Sequence, residues 1–215
     1  MKIQGIKQNK TETPNFGGIK IARVKPLKAQ VEEDVFIYSL DKEKDRAFCD
    51  NLADKLIKST KERMNTEKST IFQFLYNAFA SIEYADNAIL AVKGKKPFGF
   101  MSILNTNADK NTRLAYFATW KTPEFEKIKN GGSMLITHLL HTNENKNKIT
   151  LTPAFNSDLF YYKFGFDYED EYTMTTMYID KKDMQPQLTR LAGKFDYNAI
   201  KDSPPQDLSD VMECK

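Results

Sequence analysis

The chain has 215 residues, of which 40% are hydrophobic and 12% aromatic, and its 32 basic and 29 acidic side chains give a net charge of +3. This composition supports a large globular domain with its own core and excludes disorder of the chain as a whole. The near balance of charges does not indicate a nucleic-acid-binding protein, and no apolar run approaches the ~20 residues of a membrane span. Two cysteines and an amino terminus without a secretory signal, MKIQGIKQNK, predict a cytoplasmic protein without a disulfide framework.

The first third of the chain predicts a polar leader, two strands and two helices. Residues 1–18 are polar and are predicted to be a mobile leader ahead of a single domain over 19–181. Strands are expected at Ile19–Val24 and Val35–Leu40, because these stretches are rich in β-branched and aromatic residues. Apolar residues at helical spacing then predict two amphipathic helices, the second over residues 70–82.

The middle of the chain predicts a sheet with helices packed on it. A hairpin is expected from two apolar runs on either side of a charged turn, and further strands alternate with a helix after Gly132 and a short helix that ends near Gly165. Residues 182–215 predict one more helix and a loose tail. The fold class is therefore α/β, a mixed sheet with helices on its faces. The remaining predicted strands are Ala88–Val92, Phe98–Leu104, Leu114–Thr119, Ile149–Leu151, Phe166–Tyr168 and Thr173–Ile179.

The loop before the third helix, KIKNGGS over Lys127–Ser133, has the composition of an anion site. Asn130 and Gly131-Gly132 accept the backbone geometry of a tight turn, and small residues let successive N–H groups approach one ligand. The helix that begins here adds its unpaired N–H groups and the positive end of its dipole. A phosphate or pyrophosphate suits such a site, although the same letters also describe an ordinary loop before a helix.

The second informative segment is FYYKFGF over Phe160–Phe166, at the end of the short helix after the Ile149–Leu151 strand. A phenol on such a helix can lie over the end of that strand and donate a proton to a leaving group. The competing interpretation is that these aromatic side chains belong to the core.

Taken together, the two segments resemble the GNAT superfamily of acetyl-CoA-dependent N-acyltransferases. The family's pyrophosphate loop, (Arg/Gln)-x-x-Gly-x-(Gly/Ala), falls on Lys127, Asn130 and Gly132. Lysine stands here in place of the pattern's Arg or Gln, and asparagine in place of its first glycine. Its downstream signature, approximately Phe-Tyr-x-Lys-x-Gly-Phe, falls on Phe160–Phe166. The resemblance covers roughly residues 35–180 and implies a mostly antiparallel sheet whose two central strands splay apart, with helices on both faces.

The resemblance also implies a function and a set of site residues. The implied activity is transfer of an acetyl group from acetyl-CoA to a primary amine by direct attack, with Tyr161 as the general acid for the departing thiolate. The acceptor would be an amine-bearing small molecule or peptide. An N–H group near Ala118 would stabilise the charge on the thioester oxygen. The residues implied to bind the cosubstrate are Phe117, Ala118, Thr119, Lys127, Ile128, Lys129, Asn130, Gly131, Gly132, Ser133 and Asn156.

Several questions stay open on the sequence alone. The general base is not identified, and Glu83, Glu124 and Asp158 are the carboxylates considered for it. His138 and His141 lie three residues apart on a helix, but without a third ligand they do not predict a metal site. The alternative function is a non-catalytic acyl-CoA-binding or scaffold protein on the same fold. No nucleic-acid or membrane partner is predicted, and a homodimer is left open.

Overall fold

The structure is a computed structural model that describes residues 17–28, 34–64, 69–106, 110–121 and 127–212. No helix within these ranges is both long and apolar enough to cross a membrane. Five α-helices occur in the described chain: α1 (Arg46–Met64), α2 (Ser69–Ala80), α3 (Gly131–Thr142), α4 (Asp158–Tyr162) and α5 (Lys181–Ala192). The strands are β1 (Gly17–Pro26), β2 (Val35–Leu40), β3 (Asn87–Lys93), β4 (Lys96–Thr106), β5 (Asn111–Thr119), β6 (Lys148–Leu151), β7 (Asp167–Tyr168), β8 (Met177–Asp180), β9 (Phe195–Ala199) and β10 (Pro205–Asp207).

All ten strands form one sheet. Its order is β10-β1-β2-β3-β4-β5-β6-β8-β7, and β9 pairs with β1 as well. Every pairing is antiparallel except that of β5 with β6, which are joined through α3 and run parallel. A parallel pair needs such a crossover, whereas an antiparallel pair such as β3–β4 can be joined by a tight turn. The predicted mixed, mostly antiparallel α/β sheet is confirmed.

Helices cover both faces of the sheet, and each face has its own core. On the first face lie α3 and α5, whose Leu135, Leu139 and Leu188 pack with residues of β1 and β4–β6. On the second face lie α1 and α2. There Phe48 and Phe79 are completely buried, and the Phe79 ring lies 4.8 Å from that of Phe100 on β4. Burial of each such side chain contributes roughly 1.5–3 kcal/mol, which is why the two faces hold the helices firmly.

The parallel pair β5–β6 separates partway along β5. The two strands pair only from Asn111–Lys148 to Leu114–Leu151, yet β5 continues to Thr119. A β-bulge lies at the point of separation: Leu114 pairs with Ile103 and Tyr116 with Ser102, which leaves Ala115 without a partner. A bulge redirects the side chains that follow it. Here Leu114 packs in the first core and Tyr116 against the second, although residues two positions apart in a regular strand lie on the same face. The splay that the resemblance implied is therefore present.

The carboxyl-terminal residues differ from the predicted loose tail. Strand β9 pairs with Ala22–Pro26 of β1, and β10 pairs with Gly17–Ile19 of the same strand. The side chains of Phe195 and Leu208 are buried. These residues complete the sheet because β1 otherwise has an edge without a partner. Of the predicted leader, residues 17 and 18 lie in β1, and residues 1–16 fall outside the described chain.

Candidate active site

A cavity of about 810 Å³ crosses the sheet where β5 and β6 separate. We call its two parts the α3 side and the α2 side. The α3 side is lined by Phe117 and Tyr161, and by the start of α3 at Asn130–Ser133. The α2 side lies on the opposite face of the sheet and is lined by residues of α1, α2 and β5: Thr60, Ile71, Phe74, Leu75 and Tyr116. Since adjacent side chains of β5 point to opposite faces, Tyr116 and Phe117 line different sides of one continuous space.

The start of α3 presents unpaired backbone N–H groups to the cavity. Asn130 adopts the left-handed conformation, with φ of 62°, and its side chain does not cap the helix. The Gly131 N–H donates to the Ile128 carbonyl at 3.1 Å, and the Met134 N–H donates to that of Asn130 at 3.0 Å. Within the described chain the N–H groups between them, at positions 132 and 133, have no acceptor. Such groups, with the positive end of the helix dipole, favour an anion.

Glycine is favoured at both Gly131 and Gly132 because two aromatic rings lie directly against the loop. A Cβ on Gly131 would lie 2.9 Å from the Phe98 ring, and one on Gly132 would lie 3.0 Å from the Phe160 ring. Either distance is shorter than ordinary van der Waals contact. The Phe98 and Phe160 rings therefore pack against the loop backbone where a side chain would otherwise lie.

Most of the residues predicted for the cosubstrate lie around the cavity. Its walls include Phe117–Thr119, Lys127, Ile128 and Asn130–Ser133. Lys129 and Asn156 are exposed and do not line it, although Asn156 follows Phe155, which does. The two predicted segments, distant in sequence, thus meet at the gap between β5 and β6.

The backbone of β5 beyond Leu114 is available for pairing. On one side it pairs with β4 as far as Thr119–Gly99. On the other side β6 ends at Leu151, so Tyr116–Thr119 has no neighbouring strand in the described chain. An exposed strand edge of this kind binds an extended, amide-bearing ligand by adding it to the sheet.

Tyr161 lines the α3 side of the cavity. Its side chain is 5% exposed, and the Phe117, Phe160 and Phe166 rings surround it at centroid distances of 6.1, 5.2 and 5.8 Å. Its hydroxyl makes no hydrogen bond within the described residues. Burial raises the pKa of the Tyr161 phenol. The group is therefore protonated at neutral pH, the state required of a proton donor.

The α2 side is built from aromatic rings that sequence reasoning did not assign to the site. Phe74 of α2 lies 5.8 Å from the Tyr116 ring and 5.2 Å from the Phe155 ring, the latter edge to face. The same three rings border a second, more open space of about 530 Å³, the outer cavity, with Thr70, Gln73 and Asn77 of α2. The three rings come from three elements far apart in sequence, so no local pattern could have shown them together.

Of the carboxylates considered as a general base, the two that the structure describes do not line the cavity. Glu83 is exposed and forms an ion pair with Arg46, and Asp158 lies in the first turn of α4. Glu124 falls outside the described residues. Among the described residues that line the cavity there is no carboxylate and no imidazole; the ionisable ones are tyrosines and lysines.

The two histidines of α3 contact β9 and lie away from the cavity. His138 is buried, and its Nδ1 lies 3.1 Å from the Tyr197 hydroxyl. Burial lowers the pKa of His138 to about 4, and His141 stacks on the Tyr197 ring at 4.1 Å. In the described chain no group of three or more His, Cys, Asp or Glu side chains could hold a metal ion.

Comparison with known proteins gives a likeness of structure only. No family model matches the sequence, and no curated protein matches it significantly. Among solved structures, the chain is similar to a Desulfovibrio desulfuricans protein described as a GNAT-family acetyltransferase, with 15% identity over 68% of this chain and 99% of that one and a TM-score of 0.48. It is also similar to the PaiA N-acetyltransferase of Thermoplasma acidophilum in complex with coenzyme A, with 17% identity over 68% and 98% of the chains and a TM-score of 0.45. A third is GCN5 of Tetrahymena, with 12% identity over 60% and 86% of the chains and a TM-score of 0.42.

Proposed function

We propose that the protein is an N-acetyltransferase that moves an acetyl group from acetyl-CoA to a primary amine. The observation that supports it most directly is the continuous cavity that crosses the sheet where β5 and β6 separate. A transferase must bring two substrates together at one point. This cavity offers an anion-binding loop and a protonated phenol on one face of the sheet, and an aromatic chamber on the other.

The α3 side fits the cosubstrate. The N–H groups at positions 132 and 133 would bind the pyrophosphate, and Lys127, which also lines the cavity, would add positive charge. The free edge of β5 at Tyr116–Thr119 suits the two amides of the pantetheine arm, which would extend along it toward Tyr161. The Phe98 and Phe160 rings keep the loop backbone in place, so that little ordering is left for the ligand to impose.

Acetyl-CoA supplies a thioester carbonyl that an amine can attack. The neutral amine nitrogen forms the new C–N bond while the C–S bond breaks. Water accepts the proton that the amine loses, and Tyr161 supplies the proton that the sulfur gains before solvent reprotonates the phenol. A backbone N–H near Ala118 stabilises the negative charge that develops on the carbonyl oxygen.

The decisive test is titration of the purified protein with acetyl-CoA and desulfo-CoA by calorimetry, followed by a thiol-release assay with a panel of amines. Micromolar binding of both, with amine-dependent thiol release, is the expected result. Absence of binding at millimolar acetyl-CoA would contradict the proposal. Desulfo-CoA separates recognition of the nucleotide and pantetheine from any contribution of the thioester.

A non-catalytic acyl-CoA-binding protein is the second candidate. It is favoured by one observation, the absence of a carboxylate or imidazole among the described residues that line the cavity. The same assays separate the two candidates, because the second one predicts cosubstrate binding without thiol release for every amine tried.

A further inference from the structure

The α2 side of the cavity contains an aromatic clamp, which we define as the rings of Phe74, Tyr116 and Phe155. Phe74 contacts both of the others, at centroid distances of 5.8 and 5.2 Å. Phe74 and Tyr116 are partly buried, whereas Phe155 is 57% exposed. All three rings border both the main cavity and the outer cavity, so the clamp stands where an acceptor has to pass on its way to Tyr161.

The loop that carries Phe155 holds the ring in place at a conformational cost. Phe155 and Asn156 are both left-handed, with φ of 54° and 57°. A bulky residue is rarely found in this conformation, and such strain concentrates at ligand-binding segments. The neighbouring Ala154 N–H donates to the Ser157 hydroxyl at 3.2 Å, which closes the loop just before α4. The strained pair leaves a large apolar ring exposed over the opening, where it gains little burial from the protein itself.

Next to the clamp, helix α2 presents a hydrogen-bonding pair that matches an amide. The Gln73 Nε2 donates to the Asn77 Oδ1 at 2.8 Å. This bond leaves the carbonyl oxygen of Gln73 as an acceptor and the amino group of Asn77 as a donor, both on the wall of the outer cavity. An acceptor and a donor one helical turn apart complement the N–H and C=O of a single amide.

From these contacts we propose that the α2 side binds an α-amino amide that has an aromatic side chain. The ring would enter the clamp, the amide would meet Gln73 and Asn77, and the amine would point toward Tyr161. Two sources share this chemistry: a peptide amino terminus that begins with an aromatic residue, and a free amino-acid amide. The inference rests on the proposed function, since it names the acceptor class of the same site.

The low basicity of an α-amine fits a cavity whose described walls contain no carboxylate or imidazole to act as a base. An α-amino group has a pKa of about 7.7–8.0, against about 10.4 for a lysine side chain. A substantial fraction of an α-amine is therefore neutral near pH 7.5, and water is a sufficient base for it. The described walls, which hold neither carboxylate nor imidazole, therefore suit such an amine. They offer no negative charge to pair with an acceptor that carries several positive charges.

The first test measures acceptor binding without any cosubstrate, by calorimetry or NMR titration. L-Phenylalaninamide is expected to bind about tenfold more tightly than L-alaninamide, because only the former places a ring in the clamp. F155N removes the ring and retains a residue that tolerates the left-handed conformation, and it should eliminate this preference. Y172A, which truncates a fully exposed tyrosine outside the cavity, is the matched control and should retain it. Equal affinities for the two amides would overturn the proposal, as would a preference that F155N leaves unchanged.

A second variant tests the amide contact separately. Q73L should weaken binding of L-phenylalaninamide to the level of phenethylamine, which has the same ring and an amine but no amide. Its effect on phenethylamine itself should be small. Equal weakening of both ligands would contradict the assignment of Gln73 to the amide.

The acetyl-transfer assay identifies the source and separates this inference from the proposed function. A hexapeptide beginning with Phe that binds and reacts at least as well as L-phenylalaninamide identifies a peptide amino terminus, and one that is tenfold worse identifies the small amide. If acetyl-CoA binds and reacts with other amines but not with these, the acceptor inference fails and the proposed function stands. If L-phenylalaninamide binds as expected but acetyl-CoA does not bind, the proposed function fails and the acceptor site stands.

Discussion

The two sides of the cavity offer different groups to a ligand. The α3 side offers mainly backbone groups: the N–H groups at the start of α3 and the free edge of β5, held in shape by the Phe98 and Phe160 rings. The α2 side offers side chains, the three rings of the clamp and the Gln73–Asn77 pair. Backbone recognition constrains a sequence only where conformation demands a particular residue. Side-chain recognition changes with each substitution, so the α2 side is where specificity for an acceptor can be set.

The largest expected effect comes from filling the α3 side. Gly132→Glu places a side chain against the Phe160 ring and a negative charge at the pyrophosphate position. The affinity for acetyl-CoA should fall at least ~100-fold, measured by calorimetry. Gly193→Glu is the control, because Gly193 follows α5 in an ordinary helical conformation and has room for a Cβ. Binding of L-phenylalaninamide should survive G132E; its loss would show that the two sides are not independent.

The next effect is expected at Tyr161, on rate rather than on affinity. Tyr161→Phe retains the ring contacts but removes the proton donor, so kcat should fall about 100-fold with little change in the dissociation constant for acetyl-CoA. Tyr162→Phe is the matched control, since Tyr162 is adjacent in sequence but exposed and outside the cavity. An unchanged kcat in Y161F would remove Tyr161 from the role of general acid.

The pH dependence of the reaction tests whether the α2 side contributes a base. Below the pKa of an α-amine, near ~8, kcat/KM should rise by about tenfold per pH unit as the neutral amine accumulates. Because burial raises the pKa of Tyr161, its ionisation should not lower the rate up to about pH 9.5. With an amine of higher pKa as acceptor, the rising limb should move to higher pH. A midpoint that stays the same for both acceptors would instead indicate a titrating group of the protein.

The smallest effect is expected from loss of the positive charge of Lys127. Lys127→Ala should weaken acetyl-CoA binding by only about threefold, because Lys127 is exposed and solvent screens its charge. The loss should diminish at high salt. Lys129→Ala, an exposed lysine of the same loop that does not line the cavity, should have less effect at any salt concentration. Equal losses for the two variants would indicate a diffuse field of positive charge without a specific contact at Lys127.

The parts of the fold that the sequence predicts are those with a strong local pattern. The bounds of the β3–β4 hairpin and of α2 are predicted within a few residues, because the hairpin consists of two apolar runs on either side of a charged turn and the apolar residues of α2 recur at helical spacing. Strand β9, with the sequence FDYNA, was not predicted, because it is short and weakly apolar, and its pairing depends on β1 at the other end of the chain. Local propensity carries no information about a partner that distant.

The α3 side was anticipated because its determinants are local: Asn130, two glycines and the aromatic segment that ends at Phe166. The α2 side was not, for two physical reasons. The bulge at Ala115, which directs Tyr116 toward the second face, leaves no mark in the pattern of apolar residues. The left-handed backbone at Phe155 is unusual for phenylalanine, so no propensity would have placed that ring over the cavity.

The pairing of β1 with β9 and β10 has a consequence for the order in which the molecule forms. Strand β2 follows β1 closely in sequence and can pair with it early, but the strands for the other edge of β1 lie far downstream, after α5. Contacts between such distant residues must overcome the entropy of closing a very long loop, and they slow folding. Until they form, the growing chain carries an open strand edge that other chains can add to. Pairing of β9 and β10 with β1 is thus the step that closes this strand edge to other chains.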